Sequence, residues 1–264
     1  MPVLQHDGAD LHYEVAGSGP PVLLIMGLGY PMDAWWRIWP WLCEEFTCIR
    51  LDNRGVGRTG PEAQRPYSIE RMAADALAVL AAAGYGRAHL WGVSMGGIIA
   101  QEIAIEVPDA VDRLILSCTH PGGTDAIFTD EVRALLANRS GLTPRQAAEV
   151  SVPFVYSPTT DPAQIEADIE VRMQVPTSAE GYEGQLLGAS SWQGSARRLS
   201  RIGAPTLVLH GAQDALVVPG NGRFIAERIA GAQWCELDQA SHIFWTDQPE
   251  ATRLAVLEFL HQGR

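Results

Sequence analysis

A serine flanked by two closely spaced glycines is the clearest chemical signal in this chain. The run Gly92-Val93-Ser94-Met95-Gly96 follows an apolar stretch typical of a buried strand and precedes one typical of a helix. A serine on a sharp strand-to-helix turn is held in a strained backbone conformation, and the small residues beside it let the chain pass closely. The pattern therefore predicts Ser94 as a nucleophile.

Two later loops could supply the groups that activate this serine. A serine hydroxyl is a weak nucleophile at neutral pH, so it needs a base that is held in place by a third group. When the serine lies on this kind of turn, the acid and then the base follow it along the chain. We predict Asp214, after the apolar run 207–209, as the acid and His242 as the base. Asp238 and Asp247 remain rival acids because they lie close to His242 in sequence.

A glycine-rich segment near the N-terminus could stabilise a reacting carbonyl. Nucleophilic attack creates an oxyanion, which needs preorganised N–H donors. We expect one donor from Met95, directly after the serine. The second is expected from Met26-Gly27-Leu28-Gly29-Tyr30, and we choose the N–H of Leu28 because its glycine neighbours permit a close backbone approach.

Strand-like and helix-like segments alternate over most of the chain. The alternation predicts an α/β fold with a mostly parallel sheet, flanking helices and right-handed crossovers. Residues 69–83 have a helical period, and the final helix is predicted to begin after Asp247, which can cap it. Val3–His6 and Leu11–Val15 flank Asp7-Gly8, which predicts a hairpin. The six apolar runs read as buried strands are 22–26, 48–51, 88–91, 114–118, 207–209 and 234–237.

The connection from 119 to 204 is much longer than the others and contains no buried-strand run. A structureless loop of that length is implausible in a compact domain. We therefore predict a core domain formed by 1–120 and 201–264, with a helical cap inserted at 121–200. Two helix starts of the capping-box kind lie inside the insertion, Thr143-Pro144-Arg145-Gln146 and Asp161-Pro162-Ala163-Gln164.

Aromatic residues are frequent near the proposed site and in the predicted cap. The chain has 8 tryptophans, and we expect more than half of its aromatic side chains to pack in the core. The others predict a large apolar pocket that favours a hydrophobic or aromatic acyl or lactone substrate over a sugar or a phosphate. The residues expected to bind substrate are Trp36, Phe128, Phe154, Tyr156, Trp192 and Ile243.

Charge and composition exclude several classes of protein. Acidic residues number 31 and basic residues 19, and the resulting net charge of −12 argues against a nucleic-acid partner. An apolar fraction of 47% excludes a disordered chain. We expect no signal peptide and no membrane partner, because the run 22–26 is too short to span a bilayer and no basic segment precedes it.

The cysteines and histidines do not form a metal-binding pattern. The 4 cysteines include no C-x-x-C pair, so we expect reduced thiols in a cytoplasmic protein. The 7 histidines lack metal-binding spacing, and no phosphate-binding glycine loop is present in the required context. We therefore expect no metal and no cofactor. A homo-oligomer is compatible with the sequence.

These motifs together resemble the α/β-hydrolase family along nearly the whole chain outside the predicted cap. The family's D-x-R-G-x-G-x-S stretch is matched at 52–59, with Thr59 in the last place. The resemblance implies that Asp52 and Arg54 are structural and tie loops beneath the site. A looser similarity extends to enol-lactonase-like hydrolases and aromatic-polyketide methyl esterases. Many family members have His-Gly in the oxyanion loop, whereas Met26 replaces that histidine here.

The expected activity is therefore that of a serine hydrolase acting on a carboxylic ester, lactone or thioester through an acyl-enzyme. One alternative is a carbon–carbon bond hydrolase of a diketone-like substrate, which resembling family members perform with the same triad. It would require Arg54, Arg172 or Arg197 to reach the pocket and bind a substrate carboxylate. A non-catalytic small-ligand receptor on the same fold is the other alternative.

Overall fold

The computed structural model describes residues 1–62, 64–138 and 141–262, and an eight-stranded sheet forms its centre. The strands are β1 Val3–His6, β2 Ala9–Ala16, β3 Pro21–Ile25, β4 Thr47–Leu51, β5 Ala88–Val93, β6 Val111–Ser117, β7 Thr206–Gly211 and β8 Gln233–Leu237. Their order is β1-β2-β4-β3-β5-β6-β7-β8. The pairs β1–β2 and β2–β4 are antiparallel and all the others are parallel. The predicted mostly parallel sheet is confirmed.

The antiparallel edge of the sheet begins with the predicted hairpin. Asp7 and Gly8 form its turn, with φ values of 44° and 78°. Two consecutive left-handed residues match the twist of the flanking strands, which is why an Asp-Gly pair favours a tight hairpin. The hairpin prediction from the sequence is confirmed.

Helices cover the sheet on both faces, as predicted. They are α1 Trp39–Leu42, α2 Ile69–Ala82, α3 Met95–Glu106, α4 Asp130–Ala137, α5 Pro144–Glu149, α6 Val152–Val155, α7 Pro162–Gln174, α8 Ala179–Ser191, α9 Pro219–Ala226, α10 Phe244–Asp247 and α11 Pro249–His261. Leu23 of β3 packs in one core with α2, α3 and α9, and its neighbour Leu24 packs in another with α1, α10 and α11. Alternate side chains of one strand thus serve both layers.

In its described residues, the long connection between β6 and β7 contains helices α4 to α8. Thr143 forms the predicted capping box with Gln146 at the start of α5. Asp161 caps α7 by accepting a hydrogen bond from the N–H of Ala163. The helical content of this stretch agrees with the expectation, while the division into a core domain and a cap at 121–200 stays a prediction.

The prediction that Asp247 forms the N-cap of the last helix is wrong. Gln248 occupies the N-cap position of α11 and makes no side-chain capping bond. The carboxylate of Asp247 instead accepts hydrogen bonds from the N–H groups of Ser157 and Ser241, at 3.2 and 2.7 Å. It is occupied in joining two loops and therefore does not cap the helix.

Two charged side chains beneath the sheet edge have structural contacts of the kind that the family resemblance implied. The fully buried guanidinium of Arg54 contacts the carboxylates of Asp75 and Glu62 at 2.5 and 2.8 Å. Asp52 accepts hydrogen bonds from the N–H groups of Met32 and Arg58 at 2.7 and 2.8 Å.

No helix in the described ranges combines the length and the apolar character needed to cross a membrane.

Candidate active site

Ser94 lies on a strained turn between β5 and α3. Its φ is 56° and its ψ is −118°, a conformation that L-residues rarely adopt. A Cβ on Gly96 would lie 2.0 Å from the carbonyl oxygen of Ile25, and a Cβ on Gly92 would lie 2.2 Å from the carbonyl oxygen of Gly96. The two glycines of the motif are thus required by close packing of the backbone, which brings the serine to the start of α3.

His242 and Asp214 meet at the carboxyl ends of β7 and β8. The Nδ1 atom of His242 lies 2.8 Å from Oδ2 of Asp214. The other carboxylate oxygen, Oδ1, accepts hydrogen bonds from the N–H groups of Leu216 and Val217 at 2.9 and 2.8 Å. An ionised carboxylate only accepts hydrogen bonds, so it favours the imidazole tautomer with the proton on Nδ1. That tautomer leaves Nε2 able to take up a proton.

A second histidine contacts the same acid. Nε2 of His210 lies 3.4 Å from Oδ2 of Asp214 and 2.7 Å from the carbonyl oxygen of Val217. Burial alone would raise the pKa of Asp214, but His242 and His210 together hold that pKa below its usual value. The carboxylate is therefore ionised throughout the neutral range. The base is expected after the acid in the chain, whereas His210 precedes Asp214. His210 is therefore a neighbour of the acid and not the predicted base.

The rival acids lie elsewhere. Asp238 is exposed, and Asp247 joins loops through Ser157 and Ser241. Asp214 is the carboxylate that contacts the imidazole of His242.

Ser94 and His242 line one small cavity of about 40 Å³. Gly27 and Leu28 of the glycine-rich loop line it too, and Met95 follows Ser94 as the first residue of α3. The N-terminus of a helix presents free N–H groups and a partial positive charge. The loop, the helix start, the serine and the imidazole therefore surround one space.

Among the predicted substrate-binding residues, Ile243 lines this cavity. Trp36, Tyr156 and Trp192 do not belong to its lining in the described part of the chain, and their contact with substrate stays a prediction. The indole N–H of Trp192 donates to Glu102 at 3.1 Å. The indole N–H of Trp36 and the hydroxyl of Tyr156 donate to Asp168 at 3.0 and 3.2 Å. A buried indole or phenol needs a hydrogen-bond acceptor, and these carboxylates supply one to each ring.

Phe128 and Phe154 also lie outside this lining. Phe128 packs edge-on against His120, with ring centroids 4.9 Å apart. The carbonyl oxygen of Phe154 accepts a hydrogen bond from the N–H of Leu216, and its half-buried side chain packs against the core that contains Leu24. Substrate contact by Phe128 and Phe154 stays a prediction.

Several residues that line the cavity were not predicted from the sequence. Tyr30 and Trp245 are adjacent to motifs that were recognised, the oxyanion loop and the base, so their position was a usable signal. Leu136 and Tyr182 come from α4 and α8. No sequence motif relates them to Ser94, because packing of distant helices brings them there.

His120 lies near the base without lining the cavity. Burial and, second, electrostatic repulsion between the two imidazoles of His120 and His242 lower the pKa of His120 to about 4. Its Nδ1 atom accepts a hydrogen bond from the N–H of Gly122 at 3.1 Å, which requires that nitrogen to be unprotonated. His120 is therefore neutral at physiological pH.

In the described ranges, one buried cluster has ligand-type atoms close enough to hold a metal ion. Cys118, His210 and Asp214 bring one such atom each within 4.8 Å of the others. Burial and then the charge of Asp214 raise the pKa of Cys118 well above its usual value, whereas metal binding needs a thiolate. Nε2 of His210 already contacts the carbonyl oxygen of Val217. The donor set does not fit a metal.

The chain as a whole is similar to several known proteins. A family model described as alpha/beta hydrolase fold matches residues 20–155. The protein named "Putative carbamate hydrolase RutD" from Azorhizobium caulinodans is 31% identical over 98% of this chain and 98% of its own. The 3-oxoadipate enol-lactonase 2 of Acinetobacter baylyi is 29% identical over 93% of this chain and 91% of its own. The structure of the enol-lactonase from Burkholderia xenovorans LB400 superimposes with a TM-score of 0.87 at 27% identity, covering 99% of this chain and 100% of that one.

Proposed function

This chain belongs to the alpha/beta hydrolase family, and from that premise we propose that it is a serine hydrolase that needs no cofactor. Its substrate is a carboxylic ester, lactone or thioester of a hydrophobic small molecule, cleaved through an acyl-enzyme. The names of its relatives include an enol-lactonase and a carbamate hydrolase, whose substrates share a reactive carbonyl group.

One observation carries the proposal. The Nδ1 atom of His242 lies 2.8 Å from Asp214, and the same imidazole lines the cavity that Ser94 lines. His242 can therefore accept the proton of the Ser94 hydroxyl as its oxygen attacks the carbonyl carbon. Asp214 stabilises the imidazolium that forms.

The remaining steps follow from the same three groups. The tetrahedral oxyanion is held by the N–H groups of Leu28 and Met95. When it collapses, His242 gives its proton to the leaving oxygen or sulfur, and the acyl group stays on Ser94. Water then attacks the acyl carbon while His242 takes its proton. When this second oxyanion collapses, His242 returns the proton to the oxygen of Ser94, and the carboxylic acid is released.

The carbon–carbon hydrolase alternative receives less support. Arg54 is fully buried among Asp75 and Glu62 and cannot contact a substrate, and Arg197 is exposed. Arg172 borders a neighbouring cavity, and it remains as a group that could bind a substrate carboxylate. A receptor role would leave the strained turn at Ser94 without a purpose.

The test is hydrolysis of 4-nitrophenyl acetate by the wild type and by Ser94→Ala. We expect the variant to lose at least about 1,000-fold in kcat, because the nucleophile is gone. A fluorophosphonate probe should label the wild type at Ser94 and leave the variant unlabelled. Equal rates from both proteins would remove Ser94 from the mechanism, and small-ligand binding without labelling would favour the receptor. A screen of esters, lactones, carbamates and diketones with product analysis then identifies the preferred carbonyl.

A cytoplasmic location and self-association stay predictions.

A further inference from the structure

A second, much larger cavity lies beside the one that contains Ser94. Its volume is about 670 Å³, against about 40 Å³ for the first. Sites for small-molecule ligands usually measure roughly 300–1,000 Å³. The smaller space can hold a reacting carbonyl group but not the rest of a hydrophobic substrate, so the rest must lie elsewhere.

The two cavities share two wall residues, Leu136 of α4 and Tyr182 of α8. The hydroxyl of Tyr182 donates to the carbonyl oxygen of Leu136 at 3.4 Å. Against the oxyanion loop, a Cβ on Gly29 would lie 2.9 Å from the Tyr182 ring, so the ring packs on the loop backbone. We name Leu136 and Tyr182 the partition, since they separate Ser94 from the large cavity.

The helix that carries Tyr182 is firmly attached to the oxyanion loop. Three residues further along α8, the buried side chain of Gln185 accepts a hydrogen bond from the N–H of Gly29 at 2.9 Å. The same side chain donates to the carbonyl oxygen of Arg54 at 2.7 Å. The backbone of α8 is therefore fixed at this point, and a connection between the cavities requires movement of the partition side chains.

The walls of the large cavity are mostly apolar, and the guanidinium of Arg172 is a cation among them. Leu142, Met173 and Leu186 contribute apolar surface. The half-buried Arg172 donates to the hydroxyl of Tyr30 at 3.0 Å and stacks over that ring at 3.8 Å. In the part of the chain that the structure describes, no carboxylate forms an ion pair with Arg172.

The acidic residues of the same cavity do not neutralise this cation. Glu183 lies 3.7 Å from Arg65, and Glu180 is exposed. The guanidinium therefore has a neutral partner only, although an arginine fork matches a carboxylate in geometry and charge. Tyr30 also lines the Ser94 cavity, so Arg172 is one side chain away from the reacting group.

We propose that the large cavity binds the part of the substrate remote from the reacting carbonyl, past the partition, and that Arg172 binds a carboxylate on that part. The proposal rests on the hydrolysis proposed at Ser94 and names its substrate class: an apolar ester or lactone that carries a free carboxylate at a distance from the cleaved bond.

The experiment compares matched substrates that differ only in this carboxylate. On the acyl side they are 4-nitrophenyl octanoate and the mono-4-nitrophenyl ester of suberic acid. On the alcohol side they are octyl acetate and the acetate ester of 8-hydroxyoctanoic acid. We expect Arg172→Gln to lower kcat/KM for the carboxylated member of one pair by roughly 10- to 100-fold more than for its partner, which is the range of a charge-assisted hydrogen bond. The affected pair shows which half of the substrate enters the cavity.

Two further variants separate charge from structure. Arg172→Lys keeps the cation and should restore most of the preference, whereas Arg197→Gln removes an exposed arginine and should leave every rate unchanged. If Arg172→Gln changes both members of both pairs equally, Arg172 does not bind a substrate carboxylate and the inference is overturned. If the wild type shows no Ser94-dependent hydrolysis of 4-nitrophenyl acetate, the proposed function itself has failed.

The cavity is tested by filling it and by opening the partition. Ala147→Trp places an indole at its wall and should lower the ratio of octanoate to acetate hydrolysis at least fivefold, and Tyr182→Ala should raise that ratio. Ala81→Trp, on the exposed side of α2, is the matched control for the bulky substitution. An unchanged ratio in both Ala147→Trp and Tyr182→Ala would show that the remote part of the substrate does not enter this cavity.

Discussion

A Cβ atom on Gly27 would lie 3.0 Å from the Cβ atom of Ser94. The glycine-rich loop after β3 therefore touches the serine, although 66 intervening positions separate the two residues in the chain. This contact explains the need for glycine at a position whose backbone conformation alone does not demand it. Leu28, the next residue, lines the same cavity as Ser94, as the proposed oxyanion donor must.

Gly27→Ala should reduce catalysis more than stability. The added methyl group must push the loop or the serine by a few tenths of an ångström, and small displacements of reacting groups are costly in rate. We expect kcat for 4-nitrophenyl acetate to fall roughly 10- to 100-fold, with little change in the midpoint of thermal unfolding. Gly86→Ala is the control, since its Cβ would meet no atom within 4 Å. An unchanged kcat in Gly27→Ala would argue against a close oxyanion loop.

Asp214→Asn should preserve the fold and lose most of the activity. Its carbonyl oxygen can still accept the N–H groups of Leu216 and Val217, but the amide nitrogen then faces Nδ1 of His242 and donates to it. This favours the tautomer with the proton on Nε2, which cannot accept the proton of Ser94. We expect kcat to fall about 1,000- to 10,000-fold. Asp238→Asn, at an exposed rival carboxylate, should retain wild-type kinetics. A large loss in the second variant and none in the first would reverse the assignment of the acid.

His120 should make the protein less stable as the pH falls below neutrality. Its folded-state pKa is about 4, against 6.5 in an ordinary environment. Between these values the unfolded chain takes up a proton that the folded chain does not, so the free energy of unfolding decreases as the pH drops. We expect this group to remove about 2 kcal/mol between pH 7 and pH 5.

The measurement is urea unfolding at several pH values for the wild type and for His120→Asn. Asparagine can still accept the N–H of Gly122 but does not titrate. The pH dependence of the variant should therefore be shallower over this window. Parallel curves for the two proteins would show that His120 does not contribute.

Arg54→Leu should destabilise the fold strongly. It would leave the buried carboxylate of Asp75 without its arginine, and Glu62 would keep only Arg71, at 3.5 Å. Removal of one partner from a buried ion pair typically costs about 3–5 kcal/mol. The exposed pair Arg253–Glu44, at 3.6 Å, supplies the control: Arg253→Leu should cost less than about 1 kcal/mol in the same denaturant experiment. Similar losses in both variants would contradict the structural role of Arg54.

The sheet and the elbow at Ser94 were predictable because their signals are local. An apolar run of the right length forms a buried strand, and the close backbone packing around the elbow admits only glycine at Gly92 and Gly96. The prediction that Asp247 caps the last helix failed for a related reason. A capping motif describes only neighbours in sequence, whereas two N–H groups from other loops compete for this carboxylate.

The sequence by itself determined which residues could form a serine, histidine and aspartate site, because each lies at a strand end within a short recognisable pattern. Only the tertiary structure decided what encloses the substrate. The indole N–H groups of Trp36 and Trp192 donate to the carboxylates of Asp168 and Glu102, which a pattern of apolar residues cannot reveal. Cavity walls depend on which helices pack together and on where buried polar atoms find partners, and both are settled between segments far apart in the chain.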